Sequence, residues 1–250
     1  MGFRDDLKIL YHLALNPIRG GTHQERLESF YSGQADGYDA FRRKLLKGRE
    51  GLYRRVPIAP GVPRVWVDMG GGTGSNLEAL GPRIRQLDKV YIVDLSSSLL
   101  EIARERIKRN GWTNVQAVEA DVTTFAPPEG QAGVVTFSYS LTMIPDWFAA
   151  VDQARRILAP GGHLGVVDFF VSRKYASEEI PQHSWWRRSF WPLWFGRDNV
   201  FLNPDHVPYL MNALEPVHFR GRLGSVPYVP LVRVPYYQFI GKTPTEGDTP

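Results

Sequence analysis

Val65-Trp66-Val67-Asp68-Met69-Gly70-Gly71-Gly72-Thr73-Gly74-Ser75-Asn76 sets an apolar run directly against a glycine-rich turn. The run reads as a buried strand, since β-branched and aromatic side chains suit a pleated surface covered by other groups. Glycines after it admit a ligand to backbone that a Cβ would block, and a helix opening at Gly74 would present unpaired N–H groups. A dinucleotide fingerprint, Gly-x-Gly-x-x-Gly, would carry its third glycine at position 75, where Ser75 stands. No Gly-Lys-Ser or Gly-Lys-Thr follows to cradle a nucleotide triphosphate. The spacing is Asp-x-Gly-x-Gly-x-Gly on Asp68, Gly70, Gly72 and Gly74.

Working outward, strand and helix signals alternate. Val90-Tyr91-Ile92-Val93, Val115 to Asp121, Val134-Val135-Thr136-Phe137 and Leu164 to Phe170 read as further strands. Between them lie helix candidates Gly74 to Arg85, Ser96 to Asn110 and Trp147 to Leu158. Asn110-Gly111 stops the second helix and Pro160-Gly161-Gly162 the third. Nearly continuous Val and Ile in the strands imply a parallel sheet covered on both faces, and such sheets bind ligands at the carboxyl ends of their strands.

The flanks differ from this core. Leu7, Leu10, Leu13 and Ala14 fall at helical spacing, Asn16-Pro17 ends that helix, and Thr22 with Glu25 forms a capping box for the next. After Ser172 come ten of the 19 prolines and four of the seven tryptophans, with Trp185, Trp186, Trp191 and Trp194 inside ten residues. Leu231 to Ile240 reads as a strand, and Pro235 predicts that it lies at a sheet edge. The tail from Thr243 has no apolar content and is expected to fray. The chain thus divides into an N-terminal helical cover (1–60), an α/β core (61–172), an aromatic-rich insertion with the last strands of the same domain (173–242) and a tail (243–250).

Composition bounds the function. The 250 residues are 43% hydrophobic and 22% charged, enough for one packed domain and too apolar for a disordered chain. A net charge of +4 points to an anionic neighbour without naming one. Zero cysteines exclude disulfides, thiolate nucleophiles and cysteine zinc sites, and a cytoplasmic chain is the simplest expectation. No stretch approaches the roughly 20 apolar residues that cross a bilayer. Met1 to Leu15 carries Arg4, Asp5, Asp6 and Lys8 in place of an apolar leader, so membrane contact is expected to be peripheral.

The Asp68 to Gly74 spacing resembles the first motif of class I S-adenosylmethionine-dependent methyltransferases. The resemblance implies a Rossmann-like fold with a seven-stranded, mostly parallel sheet, helices on both faces, and S-adenosyl-L-methionine as cofactor. Asp94 ends the second strand 20 residues beyond Gly74, where a carboxylate can accept both hydroxyls of the adenosine ribose. Leu95 follows it. Asp121-Val122, after the third strand, stands where such enzymes bind the adenine amino group and cover the ring, although an acid in a turn also serves as a plain cap. Ser138-Tyr139-Ser140-Leu141 would face the methionine moiety and the acceptor. Arg42 joins the expected cofactor contacts.

His23 to Arg42, which includes Phe30-Tyr31-Ser32 and Gly37-Tyr38-Asp39, and Leu45 to Glu50 resemble the methyltransferase of betaine-lipid synthesis. Phe190-Trp191-Pro192-Leu193-Trp194-Phe195, Asp198 to Leu202 and Val234-Pro235-Tyr236-Tyr237 are similar to it as well. The resemblance implies successive methylation of the amine of diacylglyceryl-homoserine at an anionic membrane surface. It also implies a separate 3-amino-3-carboxypropyl transferase that makes that acceptor. A pocket receiving a growing, finally permanent cation is best lined by aromatic faces, at about 0.5 to 2 kcal/mol per good contact. The candidates are Tyr31, Tyr38, Tyr139, Tyr236 and Tyr237, each of which packing alone could also explain.

Two basic features fit a lipid acceptor. Arg42, Arg43, Lys44, Lys47, Arg49, Arg54 and Arg55 stand against one acid, Glu50, over 14 residues. They read either as a solvated helix face or as an attractor of anionic headgroups. Trp185-Trp186-Arg187-Arg188 combines indoles with snorkelling arginines, as a lid over a lipid acceptor or a subunit contact would. Six histidines without a His-x-x-x-His pair predict no metal site. His163 reads as structural, and His206 as packing in preference to a proton acceptor. Two other readings stay open: methylation of a soluble small molecule, and a lipid-surface or RNA-binding protein without turnover. RNA is disfavoured, because no Asn-Pro-Pro-Tyr loop follows the fourth strand and no basic stripe is interleaved with aromatics.

Overall fold

The computed structural model describes residues 44–196, 199–227 and 232–245. Seven strands form one sheet in the order β3-β2-β1-β4-β5-β7-β6. They are β1 (Val65–Met69), β2 (Lys89–Asp94), β3 (Val115–Glu119), β4 (Ala132–Ser138), β5 (Leu158–Phe169), β6 (Glu215–Ser225) and β7 (Arg233–Lys242). β1 to β5 pair in parallel, and β7 lies antiparallel between β5 and β6. β1, β2, β4 and β7 are apolar over nearly their whole length because both faces are covered. One apolar cluster, around Trp66, Ile92 and Tyr236, fills one face, and a second, around Val67, Phe137 and Tyr237, fills the other. β1 pairs with both β2 and β4, so the strand order reverses there and the carboxyl ends of the three strands open one crevice.

The helices are α1 (Arg49–Arg55), α2 (Ser97–Asn110), α3 (Trp147–Ile157), α4 (Trp185–Gly196) and α5 (His206–Ala213). Ser96 caps α2 by accepting from the Leu99 N–H, and Gly111 closes it in the left-handed conformation at φ 62°. α3 ends one residue before Leu158, which already pairs with Ala132. The register then shifts so that Val134 faces His163, which makes Pro160-Gly161-Gly162 a bulge inside β5 and not a helix-to-strand turn.

Four expectations are corrected. Ser75–Gln86 is not an α-helix but tight 3-10 segments broken at Gly81, whose φ of 53° and ψ of −131° are non-helical and which precedes Pro82. The third strand stops at Glu119, and Asp121 lies in the turn beyond it. The closing strand is internal, and β6 is the edge. Pro235 is tolerated because its carbonyl accepts from the Phe170 N–H at 3.3 Å, so its missing donor also faces β5, just past the last pair, Phe169 with Tyr236. Thr243 does not fray: its N–H donates to the Gly162 carbonyl at 3.0 Å and its hydroxyl to the Ala159 carbonyl at 2.7 Å, which ties it to the β5 bulge.

Candidate active site

Asp68 anchors the glycine loop from below. It is fully buried in β1, and its Oδ1 accepts from the Tyr53 hydroxyl and, at 2.8 Å, from the Thr136 hydroxyl. Thr136 in turn accepts from the Trp66 indole at 2.9 Å, so α1, β1 and β4 share one hydrogen-bonded chain. Burial outweighs these donors and pushes the Asp68 carboxyl up to about 6. Its other oxygen, Oδ2, is buried beneath Gly71 with no hydrogen-bond partner among the described residues.

The loop itself is held on three sides. Gly70 N–H and Gly71 N–H donate to the Val93 carbonyl at 2.8 and 3.1 Å, and Gly72 N–H donates to Asp94 Oδ2 at 2.9 Å. Asp94 Oδ1 accepts from the Ser96 N–H at 3.0 Å. Gly70 has φ 67°, and a Cβ there would meet the Ser140 Cβ at 2.5 Å, so both conformation and space demand glycine. From outside, the buried Arg106 donates to the Thr73 carbonyl and, at 2.9 Å, to Glu78. Arg49, also buried, donates to Asn76 at 3.1 Å. Arg83 donates to the carbonyls of Tyr53, Arg54 and Val56 at 2.6 to 2.8 Å and closes the C-terminal end of α1 over this layer.

Across the crevice, β4 ends at Ser138, whose hydroxyl is buried and has no hydrogen-bond partner among the described residues. Tyr139 then takes a left-handed φ of 55°, an uncommon conformation for a large side chain outside glycine-rich turns. Its ring meets Phe169 edge-on at 4.6 Å, and its hydroxyl donates to the Lys47 carbonyl at 2.7 Å. The Ser140 hydroxyl donates to the Met69 carbonyl at 3.0 Å, which joins this turn to the glycine loop.

The structure brings Asp68, Gly70, Gly72, Gly74, Asp94 and Ser138 to one crevice, with Leu95 half-buried beside Asp94. Val122 is buried in the core. Asp121 is exposed and caps its own turn, accepting from the Thr123 N–H and hydroxyl at 2.8 Å each. Tyr139 and Tyr236 lie on one side of the sheet and Tyr237 on the other, because neighbouring residues of a strand point to opposite faces. Tyr236 and Tyr237 therefore cannot line one cage. Tyr31, Tyr38 and Arg42 fall outside the described residues. Tyr53 and Arg106 are not site candidates in the sequence, and Arg49 stands there only as one of a basic run, since each acts through a partner distant in the chain or through a backbone carbonyl.

These features fit an adenosyl sulfonium. The crevice has a glycine cradle and two buried polar atoms without partners among the described residues, Asp68 Oδ2 and Ser138 Oγ. The Asp94 carboxylate, with about four acceptor positions, can hold a sugar diol beside the amides already on it.

The comparisons with known proteins agree. Residues 67–162 match the family described as methyltransferase domain. A ubiquinone/menaquinone biosynthesis C-methyltransferase of Enterobacter sp. is 25% identical over 169 residues, which cover 66% of this chain and 67% of that protein. The corresponding protein of Hydrogenovibrio crunogenus is 26% identical, over 58% of this chain and 59% of its own length. Among solved structures, phosphoethanolamine N-methyltransferase 2 of Haemonchus contortus, bound to phosphomonomethylethanolamine and S-adenosylhomocysteine, superposes with a TM-score of 0.65. It is 14% identical, and the match covers 90% of this chain and 61% of that one.

Proposed function

We propose, for a chain whose core is a class I S-adenosylmethionine-dependent methyltransferase domain, successive N-methylation of a lipid-anchored amine: diacylglyceryl-homoserine to diacylglyceryl-N,N,N-trimethylhomoserine. S-adenosylmethionine is the cofactor, and when bound it supplies an activated methyl on its sulfonium. The protein's own contribution is placement. Asp94 and the Gly70 to Gly74 backbone hold the adenosyl end, and Asp68 and Ser138, buried beneath the loop and at the end of β4, support the crevice from below. The Tyr139 turn forms the wall toward the acceptor. Alignment of the reacting atoms can by itself supply on the order of 7 to 11 kcal/mol.

The observation that carries the lipid reading is α4. Its Trp191 and Phe195 are buried, and Phe195 stacks on Phe169 at 4.9 Å, one ring away from Tyr139. Four of its large apolar residues turn outward: Trp185 is 61% exposed, Trp186 73%, Leu193 77% and Trp194 52%. Indoles and a leucine facing water beside the acceptor wall suit insertion at a lipid headgroup boundary. No helix among the described residues is long and apolar enough to cross a membrane. The attachment proposed is peripheral, at the cytoplasmic face. A separate 3-amino-3-carboxypropyl transferase would supply the acceptor.

The test is mass spectrometry of vesicles containing diacylglyceryl-homoserine after incubation with the protein and S-adenosylmethionine. Mono-, di- and trimethylated lipid is the expected result; an unmodified lipid would overturn the substrate. The C-methyltransferase relatives favour a second reading, methyl transfer to carbon of a quinone precursor. A product whose added methyl resists the chemistry of quaternary amines would favour it.

A further inference from the structure

The cleft between α1 and the edge strand β6 gathers cations that nothing in the methyl-transfer site uses. His218, Arg220, Arg222 and Gly224 alternate along β6 and so share one face of it. Their partners on β7 are Ile240, Gln238, Tyr236 and Val234, three of which belong to the apolar cluster under α1. α1 covers β5 and the Tyr236 end of β7 on that face but stops short of β6, and the gap is a cavity of about 460 Å³. Lys47 and Arg55 line it from the α1 side, Arg220 and Arg222 from the sheet, with Ser225, Tyr236 and Gln238 between them. The Lys47 stem passes 3.2 Å from where a side chain at Gly224 would begin, which directs it along the cleft. Gln238 donates to the Gly48 carbonyl at 2.6 Å and fixes the rim.

The charge in this cleft is one-sided. None of Lys47, Arg55, Arg220 and Arg222 forms an ion pair with a carboxylate among the described residues, although the chain carries 26 acids in all. Among the described residues, the one polar side-chain contact of these four cations is that of Arg55 with His218 Nε2 at 3.1 Å. Partial burial, then Arg55, Arg220 and Arg222, hold His218 below its ordinary imidazole value, so three guanidinium groups from two elements bear on one ring. Like charges brought this close cost stability unless an anion joins them. Guanidinium forks match phosphate oxygens in pairs, and a lysine adds a point charge.

We propose that this cleft binds a phosphate group, with Arg220 and Arg222 as the fork, and Arg55 and Lys47 closing on it from α1. The inference stands apart from the choice of methyl acceptor: diacylglyceryl-homoserine carries no phosphate, so the group bound belongs either to a neighbouring phospholipid or to a soluble phosphate.

The experiment uses inorganic phosphate as the first probe, followed by calorimetry and by the His218 ring resonances. Saturable binding that shifts those resonances, weakened about tenfold or more in Arg220→Ala/Arg222→Ala, is expected. All four cationic side chains reach solvent, and an unchanged melting temperature checks that the variant folds. Should it not fold, Arg55→Ala, on the other wall, must show the same loss. Absence of phosphate binding, or equal binding by wild type and variants, would overturn the proposal. A second arm asks which molecule owns the phosphate. Retention on phosphatidylglycerol vesicles over phosphatidylcholine alone, lost in the variant and competed by free phosphate, assigns it to lipid. Phosphate binding without vesicle retention assigns it to a soluble compound. Methylation of the amine is scored separately, so failure of that activity leaves this result legible.

Discussion

Gly72 N–H donates to Asp94 Oδ2 at 2.9 Å, so the carboxylate at the end of β2 helps hold the loop that follows β1. Asp94 Oδ1 meanwhile accepts from the Ser96 N–H, at the start of α2. One side chain thus shapes the crevice, and in the proposed function it would also hold the ribose. Asp94→Ala should weaken S-adenosylmethionine binding by about 30- to 1000-fold, from losing two or so charge-assisted hydrogen bonds at about 1 to 2 kcal/mol each. Calorimetric titration of wild type and variant checks this, and equal affinity would remove Asp94 from the site.

Tyr53→Phe tests the layer beneath. The Tyr53 hydroxyl donates to Asp68 Oδ1 and opposes the burial that pushes this carboxyl up, on balance to about 6. Removing it should move the Asp68 pKa further up and cost about 1 to 2 kcal/mol of stability. Urea unfolding measures the cost, and the pH dependence of cofactor affinity reads the shift. An affinity profile unmoved on the pH axis would place Asp68 outside cofactor binding.

Two groups on the opposite side of the sheet should bend the stability curve in opposite senses. Asp168 is fully buried, accepts from the Thr142 hydroxyl at 2.8 Å, and is pushed up to about 7 by burial. Because the native state holds this proton more tightly than the unfolded chain, with its ordinary value of 3.8, stability is lost as pH rises between about 4 and 7. His206 is fully buried with both ring nitrogens unpartnered, and burial lowers it to about 3 from 6.5. Here the unfolded chain takes the proton first, so stability is lost as pH falls from about 6.5 towards 3. Asp168→Asn should remove the first slope and His206→Leu the second, each on the order of 1 to 4 kcal/mol across its window. At neutral pH His206→Leu should be no less stable than wild type by more than about 1 kcal/mol, since no hydrogen bond is lost. Denaturant titrations at a series of pH values check both, and parallel curves for variant and wild type would refute the assignment.

The parts of this site legible in sequence are those whose meaning is local. Asp68, the glycines and Asp94 announce themselves because they lie at or just beyond the carboxyl ends of apolar strands, and Ser96 and Gly111 bound α2 by their own side-chain and backbone preferences. Arg106, Arg49 and Tyr53 were opaque: their partners Thr73, Asn76 and Asp68 lie 33, 27 and 15 residues away, and nothing near an arginine in the chain reveals which carbonyl it will meet. β6 was opaque for a different reason. As an edge strand with a mostly exposed surface it alternates charge with glycine and proline, a composition that reads as loop until β7 is there to pair with it. The same pairing made the Pro235 rule mislead, since it judges a strand by a missing donor without knowing where its neighbour ends.

The outward face of α4 gives the sharpest separation between lipid and soluble acceptors. Trp185 and Trp186 pack against each other at 4.7 Å, yet both stay mostly exposed, and the helix is fixed to the domain by Trp191 and Phe195 instead. Trp185→Ser/Trp186→Ser should therefore leave the melting temperature within a few degrees of wild type, because surface substitutions away from packed features change stability by only about 0.5 kcal/mol. Binding of S-adenosylmethionine should be unchanged as well, since neither ring reaches the glycine loop. Co-sedimentation with vesicles should fall about tenfold or more, in line with about 2 kcal/mol for each large apolar side chain withdrawn from the interface. If a lipid amine is the acceptor, turnover on vesicles falls with it, while turnover on a short-chain, water-soluble analogue does not. Unchanged vesicle binding and unchanged turnover on both substrates would show that α4 is a lid or a subunit contact, and that the acceptor reaches Tyr139 from solution.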